Sequence, residues 1–211
     1  VGGGSLVYAN TLYEPQSDAF YKDRQWASIT DWKSELAPHY DQAKRMHGVR
    51  LNPTDTEADK VVRKVAEKMG VGETFRAAPV GVFFGRGDGL EPGVTVDDPY
   101  FGGVGPRRTG CLECGECMTG CRHNAKNSLV KNYLHLAEVA GAEVRPMTTV
   151  LGIEPRSDGT YAVSVTTTGK RGRRHRRTLT AGQVVMAAGT WGTQELLHQM
   201  KEAGSLPHLS D

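Results

Sequence analysis

All four cysteines of the chain fall within eleven positions, as Cys111, Cys114, Cys117 and Cys121. Their spacing, C-x2-C-x2-C-x3-C, is the run that wraps a short loop around one centre in bacterial ferredoxins. Three chemistries fit it. A 4Fe–4S cluster takes four soft thiolates. A single zinc ion takes four thiolates in a tetrahedron. The third reading is a loop with free thiols or local disulfides. A ferredoxin's fourth cysteine serves a second cluster and precedes a proline. Here there is no second run, and Arg122 follows Cys121. His123 stands close enough in sequence to be a further ligand, although four cysteines already suffice. Lys126 and Lys131 could meet a phosphate, but the expectation for both is ordinary solvation.

Two further stretches could hold a ligand by their backbone. Gly2, Gly3 and Gly4 open the chain, and consecutive glycines let main-chain amides approach an anion or a flat ring. Gln183–Ala188 is a continuous apolar run that reads as a strand covered on both faces. Gly189-Thr-Trp-Gly-Thr193 follows it, and then a helix from Gln194 to Ala203 with Leu196, Leu197 and Met200 inward. A buried strand, a glycine turn and a helix form the phosphate-cradling unit of doubly wound folds.

The elements that would position these stretches can be read in order. Pro38 suits the first turn of a helix carrying Tyr40, Ala43 and Met46. Thr56 caps a helix with Asp59 in its first turn, an apolar stripe of Val61, Val62, Val65, Ala66 and Met69 facing the core, and Gly70 as its stop. Ala77–Phe84 reads as a strand. Residues 85–110 are rich in Gly, Pro and Asp, as in a loop that covers a site. A helix with Leu129, Val130, Tyr133, Leu134, Ala137 and Ala140 on one side runs to Gly141. Ala142–Pro146, Thr148–Glu154 and Tyr161–Thr168 are strand-like, with a hairpin turn at Ser157-Asp158-Gly159.

Composition sets bounds on this reading. With 211 residues the chain can bury a core, and 38% hydrophobic with 24% charged residues is ordinary for a soluble protein. The net charge of +2 is uneven, because Lys170, Arg171, Arg173, Arg174, Arg176 and Arg177 leave the other residues at −4. That run reads as a solvated hairpin loop, since no aromatic or RNA-binding signature accompanies it. No apolar run is long enough to span a membrane, and clustered cysteines fit a reducing cytoplasm better than secretion. The start at Val1 points to a fragment or a processed end, so the missing targeting segment is uninformative.

Four separated motifs together resemble the glucose–methanol–choline (GMC) oxidoreductases. They are Val1-Gly-Gly-Gly-Ser-Leu-Val-Tyr8, Val144–Val150, Val184–Gly189 with Gly192-Thr-Gln-Glu-Leu-Leu197, and Gly204-Ser-Leu-Pro-His-Leu-Ser-Asp211. The likeness is greatest to the family's sterol-oxidising bacterial members, and Ala125-Lys-Asn-Ser-Leu129 matches a helix start of their actinobacterial relatives. The resemblance implies an α/β fold, part of an FAD-binding doubly wound domain with a substrate-cap insertion. It implies FAD, a sterol-like secondary alcohol as substrate, and oxygen or an electron carrier as acceptor. By residue, it lays Gly2, Gly3, Gly4 and Ser5 along the flavin and its pyrophosphate, and Tyr8 and Asn10 near the reactive edge. Val150 matches the residue whose backbone meets the adenine, and Ala188, Gly189 and Thr190 match the turn beside the ribose and diphosphate. The expected divisions are 1–14 for flavin contact, 15–108 for the cap, 109–141 for the cysteine loop and helix, and 142–211 for a β-rich return. The family's glycine fingerprint would precede Val1 and its catalytic histidine would follow Asp211, which makes the chain an internal fragment with no assigned catalytic base. The rival reading is a non-catalytic iron–sulfur or zinc module.

Overall fold

The computed structural model describes residues 2–170, 175–206 and 209. It divides into two units, Val1–Ala142 and Glu143–Asp211, and it mixes helix and strand throughout. Val1, residues 171–174 of the basic run, and most of the motif after Leu206 lie outside the described residues.

In the first unit, α1 (Asp18–Tyr21) precedes α2 (Trp32–Met46). The Asp31 carboxylate caps α2, accepting from the Ser34 amide at 3.4 Å and the Ser34 hydroxyl at 2.6 Å. That cap starts the helix early, so Pro38 lies in its interior rather than in the first turn as the sequence suggested. Strand β1 (Arg50–Leu51) pairs antiparallel with β2 (Pro79–Val80). Between them runs α3 (Glu57–Lys68), closed at its start by a reciprocal Thr56–Asp59 capping box. Thr56→Ala should destabilise α3 by about 1 kcal/mol. Hydrogen exchange of the α3 amides would read this as faster local opening, and unchanged protection would contradict it. The apolar stripe of α3 was expected to be core, but Val61, Val62, Val65 and Met69 are exposed, Met69 to 71%.

The core of this unit is Val80, Val82, Phe84 and Ala125, with Ala78, Cys111 and Cys121 against it. The expected strand over 77–84 is shorter than the sequence suggests, because only Pro79–Val80 form a ladder. The residues after it work as an extended spine with a different partner on each side. The Gly81 amide donates to Asn10 O at 2.7 Å, and Gly81 O accepts from the Asn127 amide at 2.8 Å. The Phe83 amide donates to Ala125 O, and Phe83 O accepts from the Cys111 amide, both at 2.9 Å. One extended segment thus brings residues 10, 111 and 125–127 together. A Cβ at Gly81 would meet the Tyr8 hydroxyl at 2.7 Å, so a side chain there would displace the Tyr8 ring.

The Gly-rich loop contains a two-residue ladder, β3 (Thr95–Val96) with β4 (Arg108–Thr109). After the cysteines the chain makes a 3-10 turn at Leu129–Lys131, and α4 spans only Tyr133–Val139. The expected single helix is broken at Asn132, whose buried side chain caps the Tyr133 amide and donates to Met46 O at 3.0 Å.

In the second unit, β5 (Thr148–Pro155), β6 (Tyr161–Thr167) and β7 (Arg176–Ala181) form an antiparallel meander in that order. Gly159, at φ 81°, turns the first hairpin. Ala142–Pro146 is not a strand; Met147, at φ 53°, leads the chain into β5. Helix α5 (Gly189–Glu202) packs Leu196 and Met200 on Ile153. The apolar run 183–188 is not a strand either. Val184 and Met186 pack on that core while Val185 is 88% exposed. A run built for cover on both faces needs a neighbour on each side, and the described residues cover only one. Helix α5 also begins at Gly189 rather than Gln194. No helix among the described residues is long and apolar enough to cross a membrane.

Candidate functional site

The first unit holds the cysteine loop and the opening glycines close to each other. All four cysteines are free thiols, and all four line one cavity of about 350 Å³ walled by Ala78, Val80, Val82 and Phe84. Four residues of the loop take left-handed backbone: Glu113 (φ 55°), Gly115 (φ 74°), Gly120 (φ 92°) and Asn124 (φ 62°). These turns fold the run back on itself, which an extended loop of this spacing could not do. N–H groups are aimed at three of the sulfurs. The Glu113 amide donates to Cys111 Sγ at 3.3 Å, Asn10 Nδ2 to Cys117 Sγ at 3.4 Å, and the Ala125 amide to Cys121 Sγ at 3.3 Å. Burial raises the Cys111 thiol. Burial also works to raise Cys121, but the amides of Lys126, Ala125 and His123 together outweigh it and hold that thiol below its ordinary value. His123 joins Cys114 and Glu116, with ligand atoms of all three within 4.8 Å of one another.

The expectation of solvated lysines is overturned. Lys126 is 3% exposed. Its ammonium donates to Tyr8 O, to Cys117 O at 3.0 Å and to Leu6 O at 3.5 Å, and it lies 4.5 Å from the centre of the Tyr8 ring. Lys131 donates to Lys126 O at 3.1 Å, and burial pushes its pKa down to about 8. These residues tie the cysteine loop to the opening segment. The Tyr8 hydroxyl donates to Asn127 O at 2.6 Å, and the Leu129 amide donates to Ser5 Oγ at 2.8 Å.

Burial, with the nearby Cys117 in second place and Arg108 opposing, raises Tyr8 to about 12. Between the ordinary tyrosine value near 10 and about 12, the unfolded chain loses this proton while the folded chain keeps it. Stability therefore falls as pH rises through that window. Ultraviolet titration should show a late-ionising phenol that Tyr8→Phe removes. A normal titration of all tyrosines would contradict the burial.

The glycine stretches leave their main chain bare. A Cβ at Gly3 or Gly4 would meet nothing within 4 Å, so both present open main chain. Gly2 (φ 120°) and Gly3 (φ 52°) take backbone that favours glycine, and Ser5 Oγ pins the turn by donating to Gly2 O at 2.6 Å. In the second unit, Ala188, Gly189 and Thr190 are exposed at the start of α5. Ala188 offers no side-chain cap, and its amide donates to Thr193 Oγ1 at 3.0 Å. The first-turn amides of this 14-residue helix thus lack a capping acceptor, the condition under which a helix start receives a diphosphate. Val150 sits in β5 with its side chain exposed. Sequence reasoning missed Arg108, Asn127 and Lys126 as organisers of the site; their one signal was position beside the cysteines.

Residues 104–200 match the sequence model of the family described as GMC oxidoreductase. Over 210 residues the chain is 64% identical to a protein named "Cholesterol oxidase" from Mycobacterium tuberculosis (strain CDC 1551 / Oshkosh), covering 100% of this chain and 36% of that protein. The protein of the same name from strain ATCC 25618 / H37Rv matches equally. A "Cholesterol oxidase" of Acinetobacter baumannii is 45% identical over 216 residues, covering 100% of this chain and 38% of its own length. The chain thus spans somewhat over a third of the curated relatives it matches.

Proposed function

On the match of residues 104–200 to the GMC oxidoreductase model, we propose that the whole protein is an FAD-dependent member of that family that converts a secondary, sterol-like hydroxyl to a ketone. The observation that carries this reading is the uncapped, glycine-opened start of α5 inside the matched segment. The names of the M. tuberculosis and A. baumannii relatives support the substrate class. Bound FAD supplies the acceptor for the hydride of the carbinol carbon. In the first unit, Gly2, Gly3 and Gly4 give their bare main chain to the flavin, and Ser5 holds their turn. Tyr8 and Asn10 belong to the segment assigned to the reactive edge, and Lys126 and Asn127 fix its course. In the second unit, the amides of Ala188, Gly189 and Thr190 receive the diphosphate, and the Val150 backbone meets the adenine. Residues 15–108 are assigned to the cap that shuts water from the substrate. No base for the hydroxyl proton is assigned within this chain.

Oxygen is the acceptor if the flavin works alone. An electron carrier takes that role if a 4Fe–4S cluster on Cys111, Cys114, Cys117 and Cys121 is the second redox centre. The cavity that all four line supports the cluster.

Gly4 offers a clean test, because its φ lies outside the left-handed range and a side chain there meets no described atom within 4 Å. Gly4→Val in the whole protein should leave the unfolding midpoint of the flavin-free form unchanged and weaken FAD binding about tenfold, ~1.4 kcal/mol. The readout is flavin released per chain by acid. A wild-type protein that releases no FAD ends the reading.

A further inference from the structure

The first unit buries positive charge without an acid to match it. Arg108 is 1% exposed, Lys126 is nearly as deep, and Lys131 is half-buried beside them. Among the described residues, no carboxylate forms an ion pair with any of the three. Arg108 donates instead to Asn124 O at 2.7 Å, Asn124 Oδ1 at 2.9 Å, Ala125 O at 2.8 Å and Asn127 Oδ1. Lys126 is held by three carbonyls and a ring face, and Lys131 by one carbonyl. Asp98 spends its oxygens on the amides of Tyr100, Phe101, Gly103 and Gly105. Carbonyl dipoles solvate a cation but do not cancel its charge, and a buried unpaired charge is costly.

The sulfurs are placed to supply the missing negative charge: Lys126 and Lys131 line one cavity with Cys121, and Cys121 is near enough to Arg108 for its charge to favour the guanidinium cation. Lys126 follows Cys121 by five positions and bonds the Cys117 carbonyl at 3.0 Å. Three of the four sulfurs already accept N–H groups. A thiol sulfur is a weak acceptor, whereas an ionised acceptor makes the stronger bond. Among the described residues, the ligand atoms that lie within 4.8 Å of one another belong to Cys114, Glu116 and His123, only one of them a cysteine. A single zinc, at Zn–S of about 2.3 Å, would need its sulfurs roughly 3.8 Å apart. An iron–sulfur core holds its ligands wider, because its own atoms lie between them.

We infer that Arg108, Lys126 and Lys131 are the built-in counter-ions of an anionic iron–sulfur centre ligated by Cys111, Cys114, Cys117 and Cys121. The metal's identity rests on the cluster reading above; the assignment of the cations goes beyond it. Lys126 is a positioning residue here. It sets the charge around the centre and does not ligate it.

The test uses whole protein purified without oxygen. Wild type should hold about four iron and four sulfide per chain. Lys126→Met should lose iron to a chelator about tenfold more readily, as outer-shell substitutions do, and its centre should have a more negative reduction potential. Lys126→Arg should restore both. A lysine that only clamps the carbonyls of Leu6 and Tyr8 would also destabilise the fold when removed, so a second comparison is needed. In a protein with all four cysteines changed to serine, Lys126→Met should cost far less stability than in wild type, because the anion it balanced is gone. An equal cost in both backgrounds, or an unmoved potential in a cluster-bearing Lys126→Met protein, overturns the counter-ion assignment. Wild type that holds zinc, for example on Cys114, Glu116 and His123, or that holds no metal, overturns the cluster reading and the inference with it. If Lys126→Met does not fold, Lys131→Met gives the same comparisons at the rim with smaller shifts.

Discussion

Gly110→Ala is expected to cost about 4 kcal/mol or more, at the extreme of single substitutions. The reason is space rather than backbone angle. An added Cβ would sit 1.9 Å from the carbonyl oxygen of Glu91 and 2.9 Å from that of Phe84. Both are main-chain atoms and cannot swing aside. The Glu91 amide is bonded to Phe84 O at 2.8 Å, while Gly110 itself donates to Val94 O at 2.9 Å and accepts from the Gly93 amide at 3.0 Å. Moving Gly110 also drags Cys111, whose amide bonds Phe83 O at 2.9 Å. The packing of the core and the entry to the cysteine loop therefore fail together. Urea unfolding should show a large fall in midpoint or no folded protein. Gly182→Ala, where an added Cβ meets nothing within 4 Å, should be near neutral. Wild-type stability in Gly110→Ala would contradict the close approach of these three strands of chain.

Arg108→Met should be nearly as damaging. The side chain fills the volume, but four acceptor groups on Asn124, Ala125 and Asn127 lose their donor in a buried place. Each buried polar group left unpaired costs about 1–3 kcal/mol. Partial relaxation brings the expected total to about 4 kcal/mol, a fall of about 10 °C in Tm for a chain of this size. Arg108→Lys should recover little, since one ammonium cannot span the positions a planar fork reaches. Asn127 would lose its anchor too, although it also donates to His47 O at 2.7 Å. A Tm within a few degrees of wild type would show that the network is dispensable.

What the sequence made legible was local. The Thr56–Asp59 box, the Gly159 hairpin and the strands β5 and β6 follow from side chains acting on their own neighbours. The convergence of the cysteines on one cavity followed from their spacing. What it hid was long-range. The burial of Lys126 and Arg108 depends on carbonyls more than a hundred residues away in one case and about sixteen in the other, and no periodicity reports such contacts. The apolar run 183–188 and the α3 stripe misled for a common reason. Each pattern records that a face is meant to be covered, but not which part of the protein covers it. Pro38 misled because α2 begins well before it, at Trp32 behind the Asp31 cap. The resemblance to GMC oxidoreductases lay in motifs of glycine and small apolar residues. Residues 104–200 match that family's model, while the assignment of Gly2, Gly3, Gly4, Ser5, Tyr8, Asn10, Val150, Ala188, Gly189 and Thr190 to FAD is a proposal.

That proposal depends on a flavin held by bare main chain and reduced by an alcohol. The direct measurement is the visible absorbance of the whole protein, titrated anaerobically with a 3β-hydroxysteroid. The account predicts flavin absorbance that bleaches in proportion to added steroid, with ketosteroid formed as it does. A colourless protein, or a yellow one that no steroid or other secondary alcohol bleaches, would contradict it.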